Sequence, residues 1–194
     1  MEKQAQLWKE LKEFRVSLKT SNEADVIFNS KKVAVITLLG TLAFVSNGFL
    51  PSPIDKMVIG IQALCFSLAA LLVAKGGAVY ASLVTGLLLS GLRTGFFPFS
   101  LLFSLFYGLI IEGFFYFFKV RKGKSVESRR LILLLTVGTG ITGLVSMYLT
   151  TMLCILPMIP AMYFAIIVVA ILNGVVAGYL TVVIWNKYLS HLFL

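Results

Sequence analysis

Histidine is almost missing from this chain. There is one, His191, beside two cysteines in 194 residues. Metal centres and most hydrolytic sites are assembled from clusters of His, Cys, Asp and Glu. The sequence offers no His pair and no cysteine pair at metal spacing, which argues against a metal, a cofactor or an enzyme. Acidic residues are scarce too, with eight Asp and Glu in all. Charged residues make up 13% of the chain, against roughly 25% in soluble domains. That excludes an ordinary soluble domain. Disorder needs low hydrophobicity and high charge, and here 59% of residues are hydrophobic. Two cysteines do not make a disulfide scaffold. No Gly-x-x-x-x-Gly-Lys-Ser/Thr run exists to cradle a nucleotide.

What is abundant is apolar sequence, with a mean hydropathy of +0.96. A spanning helix needs roughly 17–25 mainly apolar residues. Six such runs are legible, at about 33–49, 57–74, 78–92, 97–118, 131–156 and 161–185. The third is short. No segments of about ten alternating residues occur, as a transmembrane barrel would require. The expectation is an all-α membrane protein. It has a cytoplasmic amphipathic arm over 1–32 and a six-helix transmembrane domain over 33–189.

Lysine and arginine collect on the cytoplasmic side of membrane proteins. Residues 1–32 carry seven, residues 119–130 carry six, and Lys75 and Lys187 add one each. With six spans all of these share one side, and only Lys56 and Arg93 face the other. The net charge of +9 is therefore a topology signal. It places both termini in the cytoplasm and the chain in the plasma membrane. It does not indicate nucleic-acid binding. In the arm, Leu7, Leu11, Phe14 and Leu18 recur at helical spacing, as in a helix lying on the inner leaflet.

Few ionisable side chains lie within the spans. Glu112 is the one carboxylate clearly inside a span. It lies about 21 Å along the fourth run, counted from Pro98 at 1.5 Å per residue. It must pair, protonate or face a cavity, as a polar anchor or as a ligand or gating group. Arg93 can present its guanidinium fork to an anionic or carbonyl-bearing ligand, or snorkel to lipid headgroups. Asn47, Gln62, Thr94, Tyr148 and Tyr163 join Arg93 as a candidate ligand-binding set on the outer half. Asn173 is a buried amide that needs a partner. Cys65 reads as small apolar packing. Small residues recur every four positions at Ala78, Ser82, Gly86 and Ser90 and at Ala170, Gly174 and Gly178, the pattern of close helix approach.

Several local runs carry a family likeness. They are Lys31-Lys32-Val33-Ala34-Val35, Gly76-Gly77-Ala78, Gly108 with Glu112, and Leu172-Asn173-Gly174-Val175-Val176-Ala177-Gly178. With the six spans and the basic loop after the fourth, the chain resembles the substrate-binding S components of energy-coupling factor vitamin transporters. Within these it is most similar to the hydroxymethylpyrimidine and thiamine-precursor branch. The resemblance implies capture of a small vitamin-like or heterocyclic molecule from outside. It also implies partnership with a coupling transmembrane subunit and ABC-type ATPases. The family often docks through Ala-x-x-x-Ala in its first span. Here Ala34, Thr37 and Thr41 stand in that span, and Ala70 and Ala74 carry the motif in the second. Two other readings stay open: a stand-alone transporter or channel of three-plus-three inverted repeats, and a non-transport membrane assembly subunit.

Overall fold

A computed structural model describes residues 30–50, 54, 58–73, 75–118, 120, 126–152 and 160–189. Most of the N-terminal arm, together with Ala74, Lys119, Cys154 and His191, lies outside the described residues. The described residues are all-helical. They form α1 (30–48), α2 (Ile59–Leu72), α3 (Gly77–Leu92), α4 (Phe99–Phe117), α5 (Ser128–Met152) and α6 (Pro160–Ile184). A short 3-10 turn, Thr94–Phe96, precedes α4, and a π-helical turn, Trp185–Leu189, follows α6. Packing divides the chain into residues 1–35 and residues 36–194.

Three helices are long and apolar enough to cross a membrane: Phe99–Phe117, Ser128–Met152 and Tyr163–Leu189. This is a membrane protein with at least these candidate spans. Ile59–Leu72 and Gly77–Leu92 are apolar but shorter. At 1.5 Å per residue they reach about 21 and 24 Å, short of a hydrocarbon core of about 30 Å.

Local chemistry sets the helix ends. α2 stops at Val73, which is extended, and the chain reverses through Gly76 at φ 82°. That left-handed geometry suits glycine. Gly77 follows, pressed on the Ala69 carbonyl so closely that a side chain there would collide with backbone. At the other end of α3 the helix stops at Arg93.

The second unit is organised around α2. Ten of its fourteen residues are buried, and it meets α3, α4, α5 and α6. A helix apolar on every side belongs in such a position. Side-chain pairings fix the helix directions. Gly40 meets Ala81 and Val84, and Gly48 meets Leu92, so α1 and α3 run parallel. Gly86 meets Leu101 and Gly108 meets Ser82, so α3 and α4 are antiparallel. Gly60 lies against Asn173 and Ser67 bonds Thr181, so α2 and α6 are parallel. Gly143 meets Ala170 and Gly178 meets Ile132, so α5 and α6 are antiparallel. α2 and α4 both run toward the Gly76 turn, Phe66 meeting Tyr107 and Gly76 meeting Glu112, so the directions alternate along the chain.

Buried hydroxyls tie these seams together. Thr85 donates to the Gly40 carbonyl at 2.8 Å, Ser104 to the Ser82 carbonyl at 2.7 Å and Thr139 to the Ala170 carbonyl at 2.9 Å. Ser67 and Thr181 share a bond of 2.7 Å. Interhelical bonds of this kind and small residues supply the association that the hydrophobic effect cannot give between helices in lipid.

Candidate functional site

The alternating directions gather the polar side chains at two ends of the second unit. One end holds the C-termini of α1, α3 and α5 and the N-termini of α2, α4 and α6. Arg93 dominates it. Its Nη2 donates to the carbonyls of Asn47 at 3.2 Å, Gly48 at 3.3 Å and Leu50 at 2.6 Å. The first two are carbonyls that the end of α1 leaves without an intrahelical partner, and Leu50 follows just past that end. A cation there also complements the negative end of the helix dipole. Arg93 thus clamps α1 to α3, a use that neither ligand binding nor snorkelling describes. We expect Arg93→Ala to lower stability by about 2 kcal/mol in solute-free detergent, read as the midpoint of unfolding. Arg93→Lys recovers part of that, because an ammonium keeps the charge without the planar fork. An unchanged midpoint for Arg93→Ala rules the clamp out.

Two buried polar atoms lie near the clamp. Asn47 is 8% exposed and Ser90 is 7% exposed. Among the described residues, neither Asn47 Oδ1 nor Ser90 Oγ has a hydrogen-bond partner. Ser90 is one turn before Arg93 on α3, on the face whose Ser82 and Gly86 meet α4. Each unmade bond in such a place costs roughly 1–3 kcal/mol. Both groups are neutral. They offer a hydroxyl and an amide to an incoming neutral partner, next to a guanidinium already engaged with backbone.

The remaining candidates do not all converge here. Gln62 is buried in the first turn of α2. Tyr163 shares a 2.6 Å hydrogen bond with Thr151, joining the ends of α5 and α6. Thr94 is exposed in the 3-10 turn, and Tyr148 is 54% exposed. Asn47 and Arg93 are therefore brought together by direct contact. Thr94 and Tyr148 face outward.

The opposite end is organised by Glu112. Its Oε1 accepts from the Gly76 N–H at 3.0 Å and its Oε2 from the Ala78 N–H at 3.2 Å. The carboxylate of α4 therefore caps the N-terminus of α3, where negative charge is favoured. The cations Lys75, Arg129, Arg130 and Lys187 belong to this end, Arg130 pairing with Glu127 at 2.7 Å. Val126 donates its N–H to Asn186 Oδ1 at 3.3 Å, which joins the start of α5 to the turn after α6. Asn173 lies on the α2–α6 seam beside Gly60.

The proposed docking residues divide. Ala34 is exposed, while Thr37 and Thr41 are half-buried, Thr41 donating to its own helix at Thr37. Ala70 is fully buried among its neighbouring helices, so it presents no surface to a partner. Ala74 lies outside the described residues.

Sequence reasoning missed Ser90 as a polar group and missed two others. Tyr107 OH and Trp185 Nε1 are also buried without a partner among the described residues. Ser90 was hidden inside a small-residue ladder. A signal for Tyr107 existed: it stands mid-span, whereas tyrosine in membrane helices gathers at the water interfaces. Comparison with known protein families, with curated proteins and with solved structures finds no match for this chain.

Proposed function

We propose that this chain is the membrane-embedded substrate-capture subunit of an ATP-driven importer. It spans the plasma membrane six times with both termini in the cytoplasm. Its cargo is a small, uncharged, vitamin-like or heterocyclic molecule. The observation that carries the reading is the pair of buried, unpartnered groups, Asn47 and Ser90, at the end of the second unit away from Lys75, Arg129, Arg130 and Lys187. By the positive-inside rule that end faces outward. Unsatisfied polar atoms in a water-poor interior are costly, and a solute with hydrogen-bonding edges offsets that cost when it binds. The alternating helix directions are consistent with six crossings. Arg93, the charge beside Asn47, is already committed to backbone carbonyls, which favours uncharged cargo. The resemblance to S components supplies the ATP-driven partners, since this chain has no nucleotide motif.

The test is affinity purification of the tagged protein from its native membranes in mild detergent, with mass spectrometry of all that co-purifies. We expect an ABC-type ATPase and a second polytopic subunit. Recovery of the chain alone, from a preparation in which known complexes survive, overturns the reading and favours a solitary transporter or an assembly subunit.

A further inference from the structure

Tyr107 lies away from the clamp at Arg93. It sits eight residues after Phe99 on α4, about 12 Å along the helix. It is 1% exposed, and its hydroxyl has no hydrogen-bond partner among the described residues. Its ring meets Phe66 of α2 edge to face, with centroids 5.5 Å apart. Gln62, also buried, stands one turn before Phe66 on the same side of α2. Short hydroxyl side chains elsewhere in the unit return to their own helix: Ser67, Thr85 and Thr142 donate to the carbonyls of Leu64, Ala81 and Gly138. A phenol hydroxyl, held at the far edge of a rigid ring, cannot return to its own backbone in that way. Phenylalanine would fill nearly the same volume without a polar atom to desolvate. A phenol in this place therefore points to an occupant that hydrogen-bonds to it. The occupant is uncharged, because α2 carries no charged residue and Glu112 of α4 is engaged on α3.

We propose that the α2–α4 seam holds a small, uncharged, hydrogen-bonding molecule against the Tyr107 hydroxyl, with Phe66 as its wall. Water and the polar edge of the captured solute share this chemistry; the solute case rests on the capture reading above. The test compares wild type with Tyr107→Phe in two preparations. One is solubilised directly from membranes, and the other is stripped of small solutes by exhaustive gel filtration in detergent. Thermal unfolding is read for both. A resonance Raman difference spectrum, wild type minus variant, isolates this phenol from the seven tyrosines.

We expect the variant to melt about 2–4 °C lower and the spectrum to show a hydrogen-bonded phenol. A loss in both preparations identifies water. A loss confined to the unstripped preparation identifies the solute, with a small-molecule mass in native mass spectrometry that the variant lacks. Equal or higher melting of the variant in both preparations, with the spectrum of a free phenol, overturns the proposal. The capture reading fails separately, through absence of partner subunits, and that failure leaves the water case standing.

Discussion

Replacing Gly174 with alanine lowers stability by about 3 kcal/mol, and leucine at that position prevents α5 and α6 from pairing at all. A Cβ built at Gly174 collides with Thr139 Oγ1. It also falls 2.6 Å from Thr136 Cα and 2.8 Å from the Leu135 carbonyl. Two of those atoms are backbone, so no rotamer change relieves the clash. The helices would have to separate, and the Thr139 bond to the Ala170 carbonyl would go with them. α5 and α6 share a long seam, so the damage is not local. The controls are Gly91→Ala on α3 and Gly113→Ala on α4, where an added Cβ meets nothing within 4 Å. They should leave stability unchanged or raise it by up to about 1 kcal/mol, through helix propensity. The measurement is unfolding in mixed micelles by circular dichroism. If Gly174→Ala tracks Gly113→Ala, the close approach of α5 and α6 is wrong.

That seam was legible in the sequence, because Ala170, Gly174 and Gly178 repeat at helical spacing and small residues let backbones meet. The six helices were legible for a similar reason. Long apolar runs, the Gly76-Gly77 reversal and the break around Pro98 mark their bounds to within a few residues. The facing of each helix was not. Ile36 and Leu38 on α1 are alike in hydropathy, yet one is 2% exposed and the other 68%. In a soluble helix polar residues would label the outer face. In one that meets lipid both faces are apolar, and the label is lost. The same loss hid the partners of the charges. Arg93 and Glu112 were conspicuous as charges, but their partners are backbone groups of other helices. Backbone is the same at every position, so no sequence pattern marks which carbonyl or amide will be met. Ala70 shows the converse, since its spacing from Ala74 suggested an outer docking face and the fold buries it.

Glu112→Ala lowers stability by about 2–4 kcal/mol and frees the first turn of α3. The carboxylate accepts two backbone N–H groups, those of Gly76 and Ala78, and bonds to a charged acceptor are each worth roughly 1.5–3 kcal/mol. Glu112 is half-buried, and solvent screening brings the expected total down to around the lower end of their sum. α3 cannot supply this cap itself, because its own capping residue is Gly76, which has no side chain to offer. Glu112→Gln retains one carbonyl acceptor and turns an NH₂ group toward the second amide, so it should lose about half as much as alanine. Hydrogen exchange separates this from a general loss of packing. The amides of residues 76–80 should exchange faster in Glu112→Ala, while those of the α5–α6 seam keep their protection. Uniform acceleration across the chain, or none at residues 76–80, sinks the capping role. Arg93 and Glu112 then share one logic. Each places its charge where a helix end has the opposite sign, the arginine at the C-terminus of α1 and the glutamate at the N-terminus of α3. Together they pin both ends of α3, an apolar helix of sixteen residues, and each charge is compensated by the helix end it meets.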